Sequence, residues 1–145
     1  GIGSSGPIAV DLAYRLVQLG LRATANIDSH MQAVNAAMTG PDVTVITVSH
    51  SGSTVETVLA TRLAKEAGAK VVGITRLGRS PLQRHCDVVL HTVAKETRYR
   101  PEAMSSRVAQ LAIVDTLVSC CALADPAQSV AKLQLSARVI AEKRY

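Results

Sequence analysis

Behind the opening GIGSSGP, Ile8, Leu12, Leu16 and Leu19 recur at helical spacing, and Gly20 ends the run. Pro7 suits the first turn of that helix, where a backbone N–H has no partner within the helix anyway. The period changes at RATANI, Arg22 to Ile27, which predicts a short strand. DSHMQAVNAAMTG then returns to helical spacing, with an N-cap candidate at Asp28 or Ser29 and a stop at Gly40-Pro41. DVTVITVS, Asp42 to Ser49, is β-branched with little polar alternation, the pattern of a strand covered on both faces and therefore central in its sheet.

The same order repeats downstream. SHSGST is a small-residue loop, VETVLATRLAKEAG a helix closed by Gly68, AKVVGITR a strand, SPLQRHC a short helix and DVVLHTV another strand. This alternation predicts an α/β fold, a three-layer α-β-α sandwich with a central parallel sheet of Rossmann-like type and right-handed crossovers. From Pro101 onward the pattern is of two helices, about 105–124 and 126–143, the first almost uniformly apolar. Its core, Val108 to Ala124, contains Gln110 and Asp115 and reads as a buried helix rather than a membrane span. A helix apolar all round needs cover on all sides, and a second copy is the expected source: a homodimer that buries part of Val108 to Ala124. A G-x-G loop of the opening kind follows a strand, so residues 1–145 read as one domain whose first strand is missing, a fragment of a longer polypeptide. An expression scar explains GIGSSG less well, because the amphipathic helix follows it directly.

Composition narrows the function classes. Hydrophobic residues make up 48% and charged residues 19%, which argues against a disordered chain. The three tyrosines are the only aromatics, so the core rests on Val, Leu, Ile, Ala and Met. A formal net charge of +5 favours phosphorylated or acidic partners. The arginines are nevertheless scattered and lack the stacking aromatics of a nucleic-acid surface. Cys86, Cys120 and Cys121 form no C-x-x-C pair and stand near no His cluster, so neither a disulfide nor a zinc site is expected. Cys120 and Cys121 read as small core residues in a reducing compartment. The start shows no basic n-region followed by an apolar core and a cleavage site, and a cytoplasmic location is expected.

Two loops carry the candidate chemistry. Gly1, Gly3 and Gly6 fit a dinucleotide fingerprint, and Asp28, 22 residues beyond Gly6, would be placed to take a ribose hydroxyl. SHSGST, Ser49 to Thr54, points elsewhere. It follows a strand and opens a helix, so its N–H groups lie at the positive end of a helix dipole, with hydroxyls at Ser49, Ser51 and Thr54 and close main-chain approach at Gly52. Ser4 and Ser5 add two hydroxyls from the first loop. Two such loops converging at the carboxyl ends of parallel strands suit a small polyhydroxylated phosphate better than a nicotinamide cofactor. The plainer reading of SHSGST is a capped helix start, with Ser51 or Ser53 as N-cap and Glu56 in the first turn; it accounts for one hydroxyl rather than three.

GIGSSG, DVTVITVSHSGSTVET and AKVVGITR together resemble the SIS (sugar isomerase) domain over nearly the whole chain. Within that superfamily KETRYRPEAMSSRVAQLAIVDTL, Lys95 to Leu117, is similar to the ligand-binding domain of RpiR-family transcriptional regulators. The resemblance implies a phosphosugar-binding domain that normally follows an N-terminal helix-turn-helix domain, through which alone DNA would be bound. Carried over by motif, Ser49, Ser51 and Thr54 would hold the phosphate, Gly3, Ser4 and Ser5 would meet the ligand from the other side, and Ser105 and Ser106 would approach it from the start of the long helix. His50 departs from the small or amide-bearing residue often found at its place, and either donates to the phosphate or turns to solvent. The resemblance implies no cofactor and no metal, and a dimer or tetramer away from membranes. A sugar-phosphate isomerase is the alternative. Aldose–ketose isomerisation needs a general base, and among Glu56, Glu96, Glu102, His30, His50, His85 and His91 the candidate is Glu96, which equally suits a hydrogen bond to a sugar hydroxyl.

Overall fold

A computed structural model describes residues 1–94 and 104–143. The elements run α1 (Ser5–Gln18), α2 (Ser29–Ala37), β1 (Thr44–Val48), α3 (Val55–Glu66), β2 (Lys70–Arg76), a 3-10 turn (Pro81–His85), β3 (Val88–Thr92), α4 (Met104–Ala124) and α5 (Pro126–Ala141). Among the described residues the sheet is parallel in the order β1-β2-β3, with Thr44 opposite Lys70 and Val72 opposite Val88. Its two faces are covered separately. Ile46, Val48, Ile74 and Leu90 meet Ile8 and Leu12 of α1 and Val114 of α4 on one side. Val45 and Val71 meet Ala36 of α2 and Ala60 and Ala64 of α3 on the other. The three-layer α/β architecture is therefore as the alternating pattern predicts.

Local chemistry sets the boundaries. Gly20, at φ +84°, closes α1, and Gly68, at φ +91°, follows α3; both backbone angles are costly for any residue with a Cβ. Asp28 caps α2, its carboxylate accepting from the Met31 N–H at 2.8 Å. Asp87 joins strand to helix: it accepts from the Val71 N–H at 2.8 Å and from Lys65, and these bonds hold its carboxyl below the usual carboxylate range.

Four expectations are corrected. RATANI forms no strand; residues 21–27 run without regular pairing. Thr44–Val48 is not central: β2 lies between β1 and β3, and β1 leaves its other edge open among the described residues. The long apolar helix is not buried all round. Only Ser106, Gln110 and Val114 are buried, four residues apart on one stripe, while Val108 and Leu123 are 70% and 74% exposed. Cys120 and Cys121 stand on the exposed side and are not core residues. By length and composition alone α4 could cross a membrane, but here it lies against α1, α5 and the sheet, with Asp115 bonded to Arg15 at 2.8 Å.

Candidate functional site

The Ser49–Thr54 loop leaves β1 and enters α3. Five backbone ties fix it. The Ser49 N–H donates to the Ile74 carbonyl at 3.0 Å, the His50 carbonyl accepts from the Arg76 N–H at 3.1 Å, and the Gly52 carbonyl accepts from the Leu82 N–H at 3.1 Å. The Thr75 hydroxyl also donates to the His50 carbonyl, and the Gly52 N–H donates to the Ser49 hydroxyl at 3.1 Å. The end of β2 and the 3-10 turn therefore form a floor under the loop. Gly52 sits on that floor at φ +63°, where an added Cβ would fall 2.3 Å from the Ser80 hydroxyl and 2.9 Å from that of Thr75.

This bracing sorts the hydroxyls. Ser49 is buried and shapes the loop, while Ser51 and Ser53 are exposed, the Ser53 N–H donating to the Ser51 hydroxyl at 3.2 Å. The plain capping reading does not hold in the form expected. The N-cap of α3 is Thr54, and its hydroxyl makes no capping bond. The Thr54 side chain thus remains available at a helix N-terminus, where partial positive charge and unpaired N–H groups favour an anion. Glu56 occupies the first turn of α3, as the pattern predicts. His50 is half-buried, and its Nδ1 has no hydrogen-bond partner among the described residues.

The first loop meets the second at the carboxyl end of β1. A Cβ on Gly1 would lie 2.8 Å from the Val48 carbonyl oxygen, so only glycine lets the chain pass there. Gly3 turns the chain at φ +58°, Ser4 takes the N-cap position of α1 with no capping bond from its side chain, and Ser5 is buried in the first turn. Asp28 is removed from the dinucleotide reading, since its carboxylate is spent on the cap of α2.

Ser105 and Ser106 belong to the first turn of α4, Ser105 exposed and Ser106 buried. Asp115 meets Arg15, and further along both helices Leu117 and Cys121 share one groove with Leu16 and Leu21. α4 therefore runs in the same direction as α1, and its serine-bearing head lies at the end of the sheet where α1 begins. The candidate residues thus fall in three places: Gly3, Ser4 and Ser5 at the start of α1, the Ser49–Thr54 loop between β1 and α3, and Ser105 and Ser106 at the head of α4. Glu96 and Glu102 lie outside the described residues. His91 is on β3 with its Nδ1 near the Arg76 carbonyl, and His85 ends the 3-10 turn. The supporting residues Thr75 and Ser80 were not legible in the sequence, because one is a β-branched strand residue and the other a turn serine, each with an ordinary local reason to be there.

Fold and site together define an α/β domain with a serine-rich loop between a strand and a helix N-terminus at the carboxyl end of its parallel strands. The SIS domain family model matches residues 1–120, and the chain belongs to that family. An HTH-type transcriptional regulator of Thermotoga maritima is 34% identical over all 145 residues, which cover 51% of that protein. The structure of the Vibrio vulnificus NanR protein complexed with ManNAc-6P matches with a TM-score of 0.92 and 30% identity, over 99% of this chain and 54% of that one. The sugar isomerase domain of the RpiR transcription factor from Sphaerobacter thermophilus matches with a TM-score of 0.82 and 27% identity, over 95% of this chain and 75% of that one. The chain thus spans about half the length of the Thermotoga and Vibrio proteins.

Proposed function

We propose that this chain is the phosphosugar-sensing domain of an RpiR-type transcriptional regulator, and that a sugar phosphate bound between the two serine-rich loops and the head of α4 modulates DNA binding by a separate helix-turn-helix domain. The observation that carries this reading is the Ser49–Thr54 loop: a braced turn at a helix N-terminus that bears the Ser51 and Thr54 hydroxyls. A phosphate has oxygens enough to accept from all of them, and charge-assisted bonds of this kind are the strong ones. The likeness to NanR, whose structure holds ManNAc-6P, and to an RpiR transcription factor supports a sensor over an isomerase. The sensor needs no cofactor, and a regulator acting on DNA works in the cytoplasm.

The exposed apolar side of α4, with Val108 and Leu123, would be covered by a second copy in a homodimer. Ligand at the head of α4 would then favour one of two subunit arrangements through differential contacts, and so alter the spacing of paired DNA-reading helices.

The test is a thermal melt of the domain with a panel of sugar phosphates, the matching free sugars, and NAD. At about one hundred times its dissociation constant a ligand adds about 2.7 kcal/mol, enough to raise the midpoint by several degrees. One phosphosugar should shift the melt while its free sugar and NAD do not; a shift with NAD alone would remove the reading. Sedimentation of the same samples reads the dimer. Aldose–ketose turnover of the same ligand, abolished in Glu96→Gln, would instead favour the isomerase.

A further inference from the structure

Helix α2 is apolar on two opposite sides. Its inward side is Ala36, buried in one cluster with Ala64 of α3 and Val71 of β2. With 3.6 residues per turn, Val34 and Met38 each lie about 160° around the helix from Ala36, and Met31 about 140°, so the three form a stripe on the far side. That stripe faces solvent, Val34 being 54% and Met38 80% exposed. An outer apolar stripe on a helix already anchored by its other side needs cover of its own. Methionine is also among the residues enriched where proteins meet.

No charge accompanies this stripe. Between Asp28, which caps α2, and Asp42 the chain has no Asp, Glu, Lys or Arg. That composition sorts the possible occupants. A lipid surface is met by helices with Lys and Arg along their polar face, and α2 has none. A partner of opposite charge finds nothing here to pair with. A second copy is another matter: at a net charge of +5 two copies repel, and they come together most readily through a surface free of cations. The stripe also reads Met, Val, Met in either direction, so it matches itself when a second α2 lies across it antiparallel, as a two-fold axis requires.

We propose that the outer face of α2 is a self-association surface, on which two copies pair about a two-fold axis with Val34 against Val34 of the partner subunit and Met31 against Met38 of the partner subunit. This surface is separate from the exposed side of α4, because α2 and α3 cover one face of the sheet and α1 and α4 the other. It is also small. The nine residues of α2 span about 13 Å, whereas a stand-alone interface takes about 800 Å² a side, so the association is weak and grows with concentration. The inference is independent of any ligand.

Sedimentation over a range of concentrations tests it, with the unmodified chain, Val34→Glu, Val34→Lys and an equimolar mixture of the two variants. A residue at the centre of a two-fold contact meets its own copy, so each variant alone sets like charges face to face and should weaken one association step about a hundredfold or more. The mixture sets Glu against Lys and should recover most of the loss. Val34 is exposed, so both variants should melt within about a degree or two of the unmodified chain, which separates a lost interface from lost folding. A second pair of chains reads the register. Met31→Glu with Met38→Lys should associate, since each Glu then meets a Lys, while Met31→Glu with Met38→Glu should not. No association of the unmodified chain at any concentration, Val34 variants that sediment as it does, or a mixture no better than its components would overturn the proposal.

Discussion

Gly52→Ala is expected to cost about 2–6 kcal/mol of stability and to abolish phosphosugar binding. Two separate terms act at that position. The backbone angle of +63° strains any residue with a Cβ by about 1–3 kcal/mol. The Cβ itself would fall 2.3 Å from the Ser80 hydroxyl, 2.7 Å from the Ser80 Cβ and 2.9 Å from the Thr75 hydroxyl, and overpacking of this kind costs about another 1–3 kcal/mol. Strand β2 and the 3-10 turn hold those neighbours, so the loop must move instead, and the Leu82 N–H to Gly52 carbonyl bond moves with it. A double-mutant cycle separates the terms. Ser80→Gly in the Gly52→Ala background should recover the packing term and leave the backbone term. A Gly52→Ala chain with unchanged melting temperature and unchanged phosphosugar affinity would refute the account of the loop.

Ser49→Ala and Ser51→Ala should both weaken phosphosugar binding, about ten- to hundredfold, but they should differ in what they do to the unliganded domain. A hydrogen bond to a charged acceptor contributes about 1.5–3 kcal/mol, which sets the affinity range. Ser51 is exposed, and its loss should leave the melting temperature within about a degree or two. Ser49 is 4% exposed, and its hydroxyl accepts from the Gly52 N–H. Removing it strands a buried donor at a cost of about 1–3 kcal/mol, a fall of several degrees. Titration and melting of the two variants side by side check both halves. Equal affinity in wild type and both variants would remove the phosphate assignment, and an unfolded Ser51→Ala would mean that its hydroxyl is structural after all.

Much of this was legible in the residues. The helical spacing of Ile8, Leu12, Leu16 and Leu19, the stop at Gly20, and the three β-branched runs correspond to α1 and β1–β3 within a residue or two at most ends. These features are local, and local periodicity reports them directly. What was not legible depends on neighbours. Asp28 has the spacing of a ribose ligand and the chemistry of an N-cap, and only the 2.8 Å contact with the Met31 N–H decides between them. RATANI has the composition of a strand, but a strand exists only where another pairs with it. The apolar letters of α4 mark surface that can be buried, whereas the stripe Ser106, Gln110 and Val114 is what this chain buries. At the site, the loop hydroxyls could be read from sequence, but the floor made by Thr75 and Ser80 could not, since nothing in a chain's order says which serine lies beneath which glycine.

The shared direction of α1 and α4 has a mechanical consequence. A helix of 21 residues is about 31 Å long and stiff along its axis, and its fully buried residues, Ser106, Gln110 and Val114, all lie in its first half. It is a lever whose short arm ends at Ser106, where the proposed ligand would sit, and whose long arm ends at the exposed Leu123. A tilt of about 5° about that stripe carries the far end by about 1–2 Å, so a sub-ångström adjustment at the head would arrive at the outer surface as a larger displacement, one that the proposed second subunit could register.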